Sequence, residues 1–406
     1  MSTRLFIVRV FFPCLFALTS IGIMSFFMVA SAPTALKVSD GPQYYGISRM
    51  LADGKGPRVY AQPDYSEVTA ECFPELKGRK RETFLAPFSL PWLWPLHLVP
   101  ANIFIAVWTV FLGLALLASL LILAKTFNLQ IGQTAWFCAF LFLSGSTYES
   151  LRIGQLAPLL ILSFSSALFF ARKEKWWLVG IALSLLILKP QELLPIAVAL
   201  VAGGRWKWIP AFATCGLILL GLSYLMIGAE GYAGYSEIMR DIYNNNNSLH
   251  TELAPTIRGQ LLLLFPQMVG PITTITTVIN FAGIALIALF SRKLKDSPHW
   301  MDYTFFAALP FACVTALYWH SYDLLLLMPV FAIAMKNSLQ KEIPIWLLLT
   351  LLPLVAIFIL PTYILVHYNY LLAGSKFNPF FLAMLVFTVV CSYIAIKMKK
   401  LDTIES

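Results

Sequence analysis

Residues 39–60, SDGPQYYGISRMLADGKGPRVY, directly follow the first long apolar stretch of the chain, and the rest of the sequence is interpreted around them. Pro42 predicts a helix start, because a proline at the first helical position lacks only an N–H group that would be unpaired there anyway. Tyr44, Ile47 and Leu51 then recur at helical spacing. This spacing predicts an amphipathic helix that lies along a membrane surface with one face buried.

Asp40 stands just ahead of that helix, where the helix macrodipole favours a carboxylate. One hypothesis is that Asp40 is a catalytic base at a membrane–water boundary. The alternative is that Asp40 merely caps a surface helix. Asp53 lies in the same segment and is a second candidate for the base.

The composition indicates an all-α polytopic membrane protein. Of the 406 residues, 59% are hydrophobic and only 12% are charged, whereas soluble domains carry roughly a quarter charged residues. The net charge of +9 comes mostly from Lys and Arg that flank apolar stretches, which indicates membrane topology and lipid contact rather than nucleic-acid binding. The six cysteines form no CxxC or CxxH pair, so we expect neither a disulfide framework nor a metal site.

The hydropathy pattern predicts a single integral membrane domain, residues 1–406, with about 12 transmembrane helices. A helix needs about 20 apolar residues to span the membrane, and several of these segments are shorter. Arg4 and Arg9 precede the first span, so the N-terminus should be cytoplasmic and the span a retained anchor. The expected spans are residues 10–30, 101–124, 134–148, 156–171, 176–188, 192–202, 209–227, 271–290, 303–319, 324–335, 344–360 and 379–396.

Placing the short basic loops in the cytoplasm puts both termini there and the polar, unusual segments outside. The two long extracytoplasmic loops are then residues 31–83, with the predicted juxtamembrane helix, and residues 228–270. Phe84–Leu98 is apolar but broken by three prolines, so we expect a re-entrant or short broken helix.

Two short motifs place polar side chains at the predicted external boundary. Lys189, in SLLILKPQELLP, suits a phosphate oxygen, but it could equally snorkel to the interface or pair with Glu192. Arg152 and Gln155, in ESLRIGQLAPLL, also suit phosphate recognition and hydrogen bonding. Glu149 precedes Arg152 by one helical turn, so an ion pair within the helix is the alternative there.

A third motif, ALYWHSYDLLLLMP, contains His320, Tyr322 and Asp323 between two apolar runs. Histidine can hydrogen-bond a phosphate or a sugar hydroxyl, and Asp323 can orient the histidine ring. Tyr318 and Trp319 offer faces for sugar stacking or an interfacial belt. A structural histidine at the end of a span is the alternative.

The sequence contains no P-loop, no dinucleotide fingerprint, no GxSxG and no HExxH motif. No soluble domain is available to hold a nucleotide. An enzyme of this shape therefore needs a substrate activated within the membrane, such as a lipid-linked phosphate ester, and no cofactor is expected.

Taken in order, these motifs resemble glycosyltransferase family 87 of the GT-C superfamily. The shared pattern begins with an acidic residue after the first span, here Asp40, and a Tyr/Gly-rich helix that ends in GKGPRVY. It continues with the Pro-rich stretch APFSLPWLWPL, a Gly-Gln turn and a Lys-Pro-Gln turn, and ends with a late His…Asp pair. The matching residues in this chain are Gly154, Gln155, Lys189, Pro190, Gln191, His320 and Asp323.

The resemblance implies a GT-C-like helical bundle that transfers a sugar from a polyprenyl-phosphate donor to a glycolipid or glycan acceptor. The sugar would be a hexose or pentose, with mannose favoured, and transfer would occur on the extracytoplasmic face of a bacterial inner (plasma) membrane. Asp40 would be the base of an inverting reaction, with Lys189, Arg152 and His320 at the donor phosphate. The substrate-binding residues would be Gln155, Gln191, Tyr44, Tyr322 and Asp323, and no metal is required.

Two other functions fit a polytopic membrane protein with external polar residues. One is a transporter or flippase for a polyisoprenoid-linked glycan, which usually has internal repeats that are not evident here. The other is a cell-envelope polysaccharide ligase or polymerase, usually built around a large late loop. The early acidic loop favours the glycosyltransferase.

Overall fold

The computed structural model describes residues 7–79, 83–245, 254–338 and 379–405, and these residues form helices and connecting turns without a strand. The α-helices are α1 (Phe12–Val38), α2 (Gly41–Ala52), α3 (Asp64–Cys72), α4 (Leu90–Leu93), α5 (Ala101–Thr126), α6 (Ile131–Leu143), α7 (Gly145–Ile153), α8 (Ala157–Arg172), α9 (Trp176–Ser184), α10 (Pro190–Ala202), α11 (Ile209–Asn245), α12 (Ile257–Leu264), α13 (Val269–Leu294), α14 (Trp300–Thr315), α15 (Met328–Ser338) and α16 (Pro379–Glu405). The all-α prediction is thus confirmed for the described residues.

Four helical segments of the described chain are long and apolar enough to cross a membrane, namely Arg9–Ser31, Ala101–Thr126, Ile209–Arg240 and Val269–Leu294. Helices α7 and α8 also pass this test together, but the chain bends by 119° between them. The protein is therefore a polytopic membrane protein, whereas a total of about 12 spans remains a prediction. The predicted span 344–360 lies outside the described residues.

Helix α2 occupies the position that Pro42 predicts and is more deeply packed than a surface helix would be. Of the expected apolar face, Tyr44 and Ile47 are buried and Leu51 is half-buried, and most of the other α2 residues are buried as well. The hydroxyl of Tyr45 donates to the carbonyl of Val99 at 2.9 Å. Protein packing therefore fixes α2, and its placement along a membrane surface remains a prediction.

The Pro-rich stretch after the first loop forms three short helical pieces, Pro87–Ser89, Leu90–Leu93 and Trp94–Leu98. Each piece begins at or just before a proline, because proline cannot donate the hydrogen bond that would continue the preceding helix. The broken helix expected here is thus present. Ser48 of α2 donates to the carbonyl of Trp94 at 2.6 Å and satisfies one of the freed backbone groups.

The end of the 39–60 segment packs directly against α11. A Cβ atom on Gly56 would lie 2.0 Å from the carbonyl oxygen of Met226, so no side chain fits at this position. Tyr60 and Tyr235 add a ring contact with centroids 5.4 Å apart. Helix α11 itself passes through Gly228 with a φ of 60° and then continues to Asn245, within the segment expected to be a long loop.

At the bundle end where the basic loops lie, Asp302 of α14 connects three helices. Its carboxylate accepts a hydrogen bond from Arg172 of α8 and lies 3.4 Å from Nζ of Lys336 of α15. Asp302 is buried, and the two cations offset the cost of holding its charge away from water.

Candidate active site

The candidate site is built around the sharp turn at the end of helix α7. The hydroxyl of Ser144 accepts a hydrogen bond from the N–H of Thr147 at 3.1 Å and caps the start of the helix. Gly154 ends it in the left-handed conformation, with a φ of +74°, which a residue with a side chain rarely adopts. Gln155 follows the turn and is buried.

Residues 39–41 lie along this turn and are held by backbone contacts. The N–H of Asp40 donates to the carbonyl of Ile153 at 2.7 Å, and the hydroxyl of Ser39 donates to the same carbonyl at 2.8 Å. A Cβ atom on Gly154 would lie 3.2 Å from the Ser39 hydroxyl and 3.3 Å from the N of Gly41. Gly154 therefore lies close against the start of α2.

The carboxylate of Asp40 is held by two side-chain amides. Nε2 of Gln43 donates to Oδ1 at 2.9 Å, and Nε2 of Gln155 donates to Oδ2. The carboxylate makes no capping hydrogen bond to the backbone of α2; the N–H of Gly41 instead bonds the Ser39 hydroxyl at 3.1 Å. The side chain of Asp40 is thus oriented by Gln43 and Gln155 rather than used as a helix cap.

A second group of charges lies around Lys189, at the start of α10. Its Nζ is 2.5 Å from Oδ1 of Asp323 and 3.6 Å from Oε1 of Glu192. Both carboxylates are buried, so each would be costly without a cation beside it. Burial by itself lowers the pKa of Lys189, but the charges of Asp323 and Glu192 outweigh this effect, so the pKa of Lys189 is raised.

The His320–Asp323 turn contacts Lys189 through the ring of Tyr322. The rings of His320 and Tyr322 are stacked, with centroids 5.2 Å apart, and Nζ of Lys189 lies 4.8 Å from the Tyr322 ring centroid. The backbone N–H of His320 donates to Oδ2 of Asp323 at 3.0 Å. Asp323 therefore shapes the histidine turn and also holds the lysine.

Electrostatic effects show that the two groups are neighbours. Burial and then the charges of Asp40, Tyr65 and Asp323 raise the pKa of Tyr44 well above its usual value. The charge of Asp40 also contributes to the raised pKa of Lys189. Tyr44 therefore lies in the field of both the Asp40 carboxylate and the Asp323 carboxylate.

The structure brings together most of the residues that the sequence singled out, namely Asp40, Tyr44, Gln155, Lys189, His320, Tyr322 and Asp323. Two other predicted site residues, Arg152 and Gln191, make none of these contacts. Arg152 lies on α7 with its guanidinium 5.8 Å from the Tyr148 ring centroid, and Gln191 is exposed at the start of α10.

Asp53 differs from Asp40 in its surroundings. It is exposed at the end of α2 and forms a salt bridge with Arg49, one helical turn earlier, at 3.0 Å. Exposed pairs of this kind contribute little to stability, about 0.2–1 kcal/mol. Of the two acids in the segment, Asp40 is the one that the Gly154–Gln155 turn holds.

Three contacts of the site were not anticipated from the sequence. The indole N–H of Trp108 in α5 donates to the carbonyl of Gly154 at 2.9 Å. Gln43 supplies one of the two amides on Asp40, and Glu149 accepts a hydrogen bond from Ser321. An indole within an apolar span needs a hydrogen-bond partner, which is the one sequence signal that could have marked Trp108.

The faces suggested for sugar stacking have other contacts. Trp319 is fully buried, and the guanidinium of Arg258 lies 4.7 Å from the ring centroid of Tyr318. The Trp319 ring therefore presents no open face, whereas the Tyr318 ring is half-buried and already contacts a cation. As for metals, no group of three or more His, Cys, Asp or Glu side chains that could hold an ion occurs among the described residues.

The fold and composition define a helical membrane protein, and comparison with known proteins identifies its family. The family model described as glycosyltransferase family 87 matches residues 86–315, which is more than half of the chain. The chain belongs to glycosyltransferase family 87. No curated protein and no solved structure matches it. Gln155 and Lys189 lie within the matched residues, whereas Asp40 and His320 lie on either side of them.

Proposed function

We propose that this glycosyltransferase moves a sugar from a polyprenyl-phosphate donor to a lipid or glycan acceptor on the extracytoplasmic face of the bacterial plasma membrane. The favoured sugar is a mannose-like hexose. The observation that carries the proposal is the Asp40 carboxylate, held by two amides beside the Lys189–His320 group of charges.

In this proposal Asp40 is the general base. The acceptor hydroxyl oxygen forms a bond to the anomeric carbon, and its proton passes to the Asp40 carboxylate. The bond between the anomeric carbon and the phosphate oxygen breaks, and the lipid phosphate leaves with the electron pair. Because attack and departure occur on opposite faces of the sugar, the anomeric configuration is inverted. Orientation by Gln43 and Gln155 supports this role, since a base must point at the proton it removes.

The leaving lipid phosphate requires positive charge or hydrogen-bond donors nearby. His320 and Lys189 both lie against the Tyr322 ring and are our candidates, with Arg152 as a third cation. Lys189 already faces the carboxylates of Asp323 and Glu192. In the proposal, Lys189 therefore donates one ammonium hydrogen bond to the phosphate, while Asp323 keeps the lysine side chain in position.

An apolar cavity beside the histidine turn supports a lipid-linked donor. It is small and partly open, with a volume of about 60 Å³. Its lining includes Leu324 and Leu325, which directly follow Asp323, together with Phe137 and Leu141 of α6 and Phe331 of α15. An isoprenoid chain needs an apolar surface of this kind, and a free nucleotide sugar does not.

The deciding experiment is sugar transfer by the purified protein in lipid vesicles, with synthetic polyprenyl-phosphate sugars as donors. We expect Asp40→Asn to lower turnover by roughly 10²–10⁴-fold, which is the usual contribution of a general base. The matched control is Asp53→Asn, which neutralises an exposed acid in the same segment and should keep full activity. Full activity in the Asp40 variant would eliminate Asp40 as the base.

The same vesicles separate transfer from transport. A transferase yields a glycosylated acceptor, whereas a flippase moves the lipid-linked sugar across the bilayer and leaves the glycosidic bond intact. Appearance of labelled donor in the opposite leaflet without any product would contradict the proposed function.

A further inference from the structure

Helix α7 contacts both halves of the candidate site. Its last residue and the turn after it hold Asp40, through the carbonyl of Ile153 and the amide of Gln155. Near its middle, the carboxylate of Glu149 accepts a hydrogen bond from the hydroxyl of Ser321. Ser321 directly follows His320 in the histidine turn. One nine-residue helix therefore touches the segment of the proposed base and the turn at the proposed phosphate site.

Glu149 has no role in the reaction described above, and its burial requires an explanation. Its side chain is 8% exposed, and a buried carboxylate is costly unless donors satisfy it. An ion pair with Arg152, one turn later, would be the simplest explanation, but none of the described salt bridges joins these two residues. The Ser321 hydroxyl donates a hydrogen bond to the Glu149 carboxyl group instead and so satisfies one of its oxygens.

We propose that Glu149 is a positioning residue that fixes the histidine turn relative to Asp40. A transfer reaction needs its reacting atoms about 3–3.5 Å apart, and a misplacement of about 1 Å can cost on the order of 100-fold in rate. In the proposed function Asp40 faces the acceptor hydroxyl and His320 faces the donor phosphate, so the spacing between these two residues sets the spacing of the reactants. The catalytic consequence rests on the proposed function, whereas the structural link does not.

The link is tested first without activity, by hydrogen–deuterium exchange of the full-length protein in lipid nanodiscs. We expect Glu149→Ala and Ser321→Ala to raise exchange in residues 316–327 by roughly tenfold, because each removes one partner of a buried hydrogen bond. Glu149→Gln should remain near wild type, since its amide oxygen accepts the same hydrogen bond. The double variant should show no more exchange than either alanine variant, because both remove the same interaction.

Ser150→Ala is the matched control on the same helix. Ser150 is fully buried, but its hydroxyl has no hydrogen-bond partner in the described part of the chain. If Glu149→Ala and Ser150→Ala give the same exchange in residues 316–327, or if the Glu149 and Ser321 effects add, the positioning role is wrong.

The kinetic test applies to transfer from a polyprenyl-phosphate sugar. We expect Glu149→Ala to lower kcat/KM for the donor by on the order of 10- to 100-fold, with a raised donor KM and an unchanged acceptor KM. A variant that is only partly folded would lose kcat and keep both KM values, which would overturn the proposal. If the wild-type protein transfers no sugar, the proposed function fails, and the exchange experiment still decides whether Glu149 fixes the turn.

Discussion

Gln155 donates its side-chain amide to Oδ2 of Asp40, across a sequence separation of 115 residues. The contact joins the segment after the first span to the turn between α7 and α8. Gln43 holds the other oxygen, so the plane of the carboxylate is set from two directions. The proposed base is therefore oriented before any substrate arrives.

Gln155→Leu removes one of these amides and leaves a buried leucine beside the carboxylate. Loss of a hydrogen bond to a charged group costs about 1.5–3 kcal/mol, so we expect a lower melting temperature and a clear fall in kcat. The control is Gln133→Leu, which removes the hydrogen bond that the Gln133 side-chain amide donates to the carbonyl of Met335, on other helices. That variant should lose stability and keep its kcat; an equal loss of kcat in both would contradict a specific role for Gln155.

Gly154→Ala should be more damaging than an equivalent change elsewhere. A non-glycine residue with a positive φ costs about 1–2 kcal/mol, and here the new methyl group would also press on Ser39 and Gly41. Gly54 is the matched control, because its φ is +73° but no atom lies within 4 Å of the position of its Cβ. We expect Gly54→Ala to lower thermal stability slightly and Gly154→Ala to lower both stability and transfer activity. Equal losses of stability and activity in the two variants would show that backbone strain, and not the contact with Ser39 and Gly41, causes the effect.

Lys189→Met should destabilise the protein strongly. It leaves the buried carboxylates of Asp323 and Glu192 without their cation, and breaking a buried ion pair in this way costs about 3–5 kcal/mol. Arg49→Met breaks the exposed pair with Asp53 and should cost under about 1 kcal/mol. Thermal unfolding in detergent measures both. Replacing Asp323 together with Lys189 by apolar residues should recover part of the loss; an additive loss would mean that the two residues act independently.

Cys72 reports on the side of the membrane that carries the first loop. It is partly buried at the end of α3, and burial raises the pKa of its thiol. Because the thiolate is the reactive form, maleimide labelling should be slower at pH 7 than for a free thiol and should accelerate as the pH rises. A membrane-impermeant maleimide should label intact cells from outside and lose this signal in Cys72→Ser. Labelling only after the membrane is opened would place the loop in the cytoplasm.

Much of the site could be predicted because polar residues are conspicuous in an apolar chain. The positions of the basic loops placed Asp40, Gln155, Lys189 and His320 on one side, and the structure brings these residues together. The contacts themselves could not be predicted. The bond between Trp108 and Gly154 joins an apolar helix to a backbone carbonyl, and no sequence pattern specifies such a pair.

The fold was predicted less completely, for a related reason. The polar residues after Gly228 favoured a long loop, yet the chain is kinked at the non-helical Gly228 and then forms a further helical segment that ends at Asn245. Hydropathy measures how apolar a segment is and gives no information about helices that are short, bent or stacked end to end. Helices α7 and α8, which meet at 119°, are the clearest example.

The contact between Gly56 and Met226 has a consequence for substrate access. Together with the contacts at the Gly154 turn, it holds the 39–60 segment near both ends. We therefore expect this segment to keep its position when substrate enters the site. For the proposed transfer reaction, we therefore expect the acceptor to approach from another side of the site. A larger residue at position 56 would press on the carbonyl of Met226 and displace this segment, although Gly56 is not one of the proposed catalytic or substrate-binding residues.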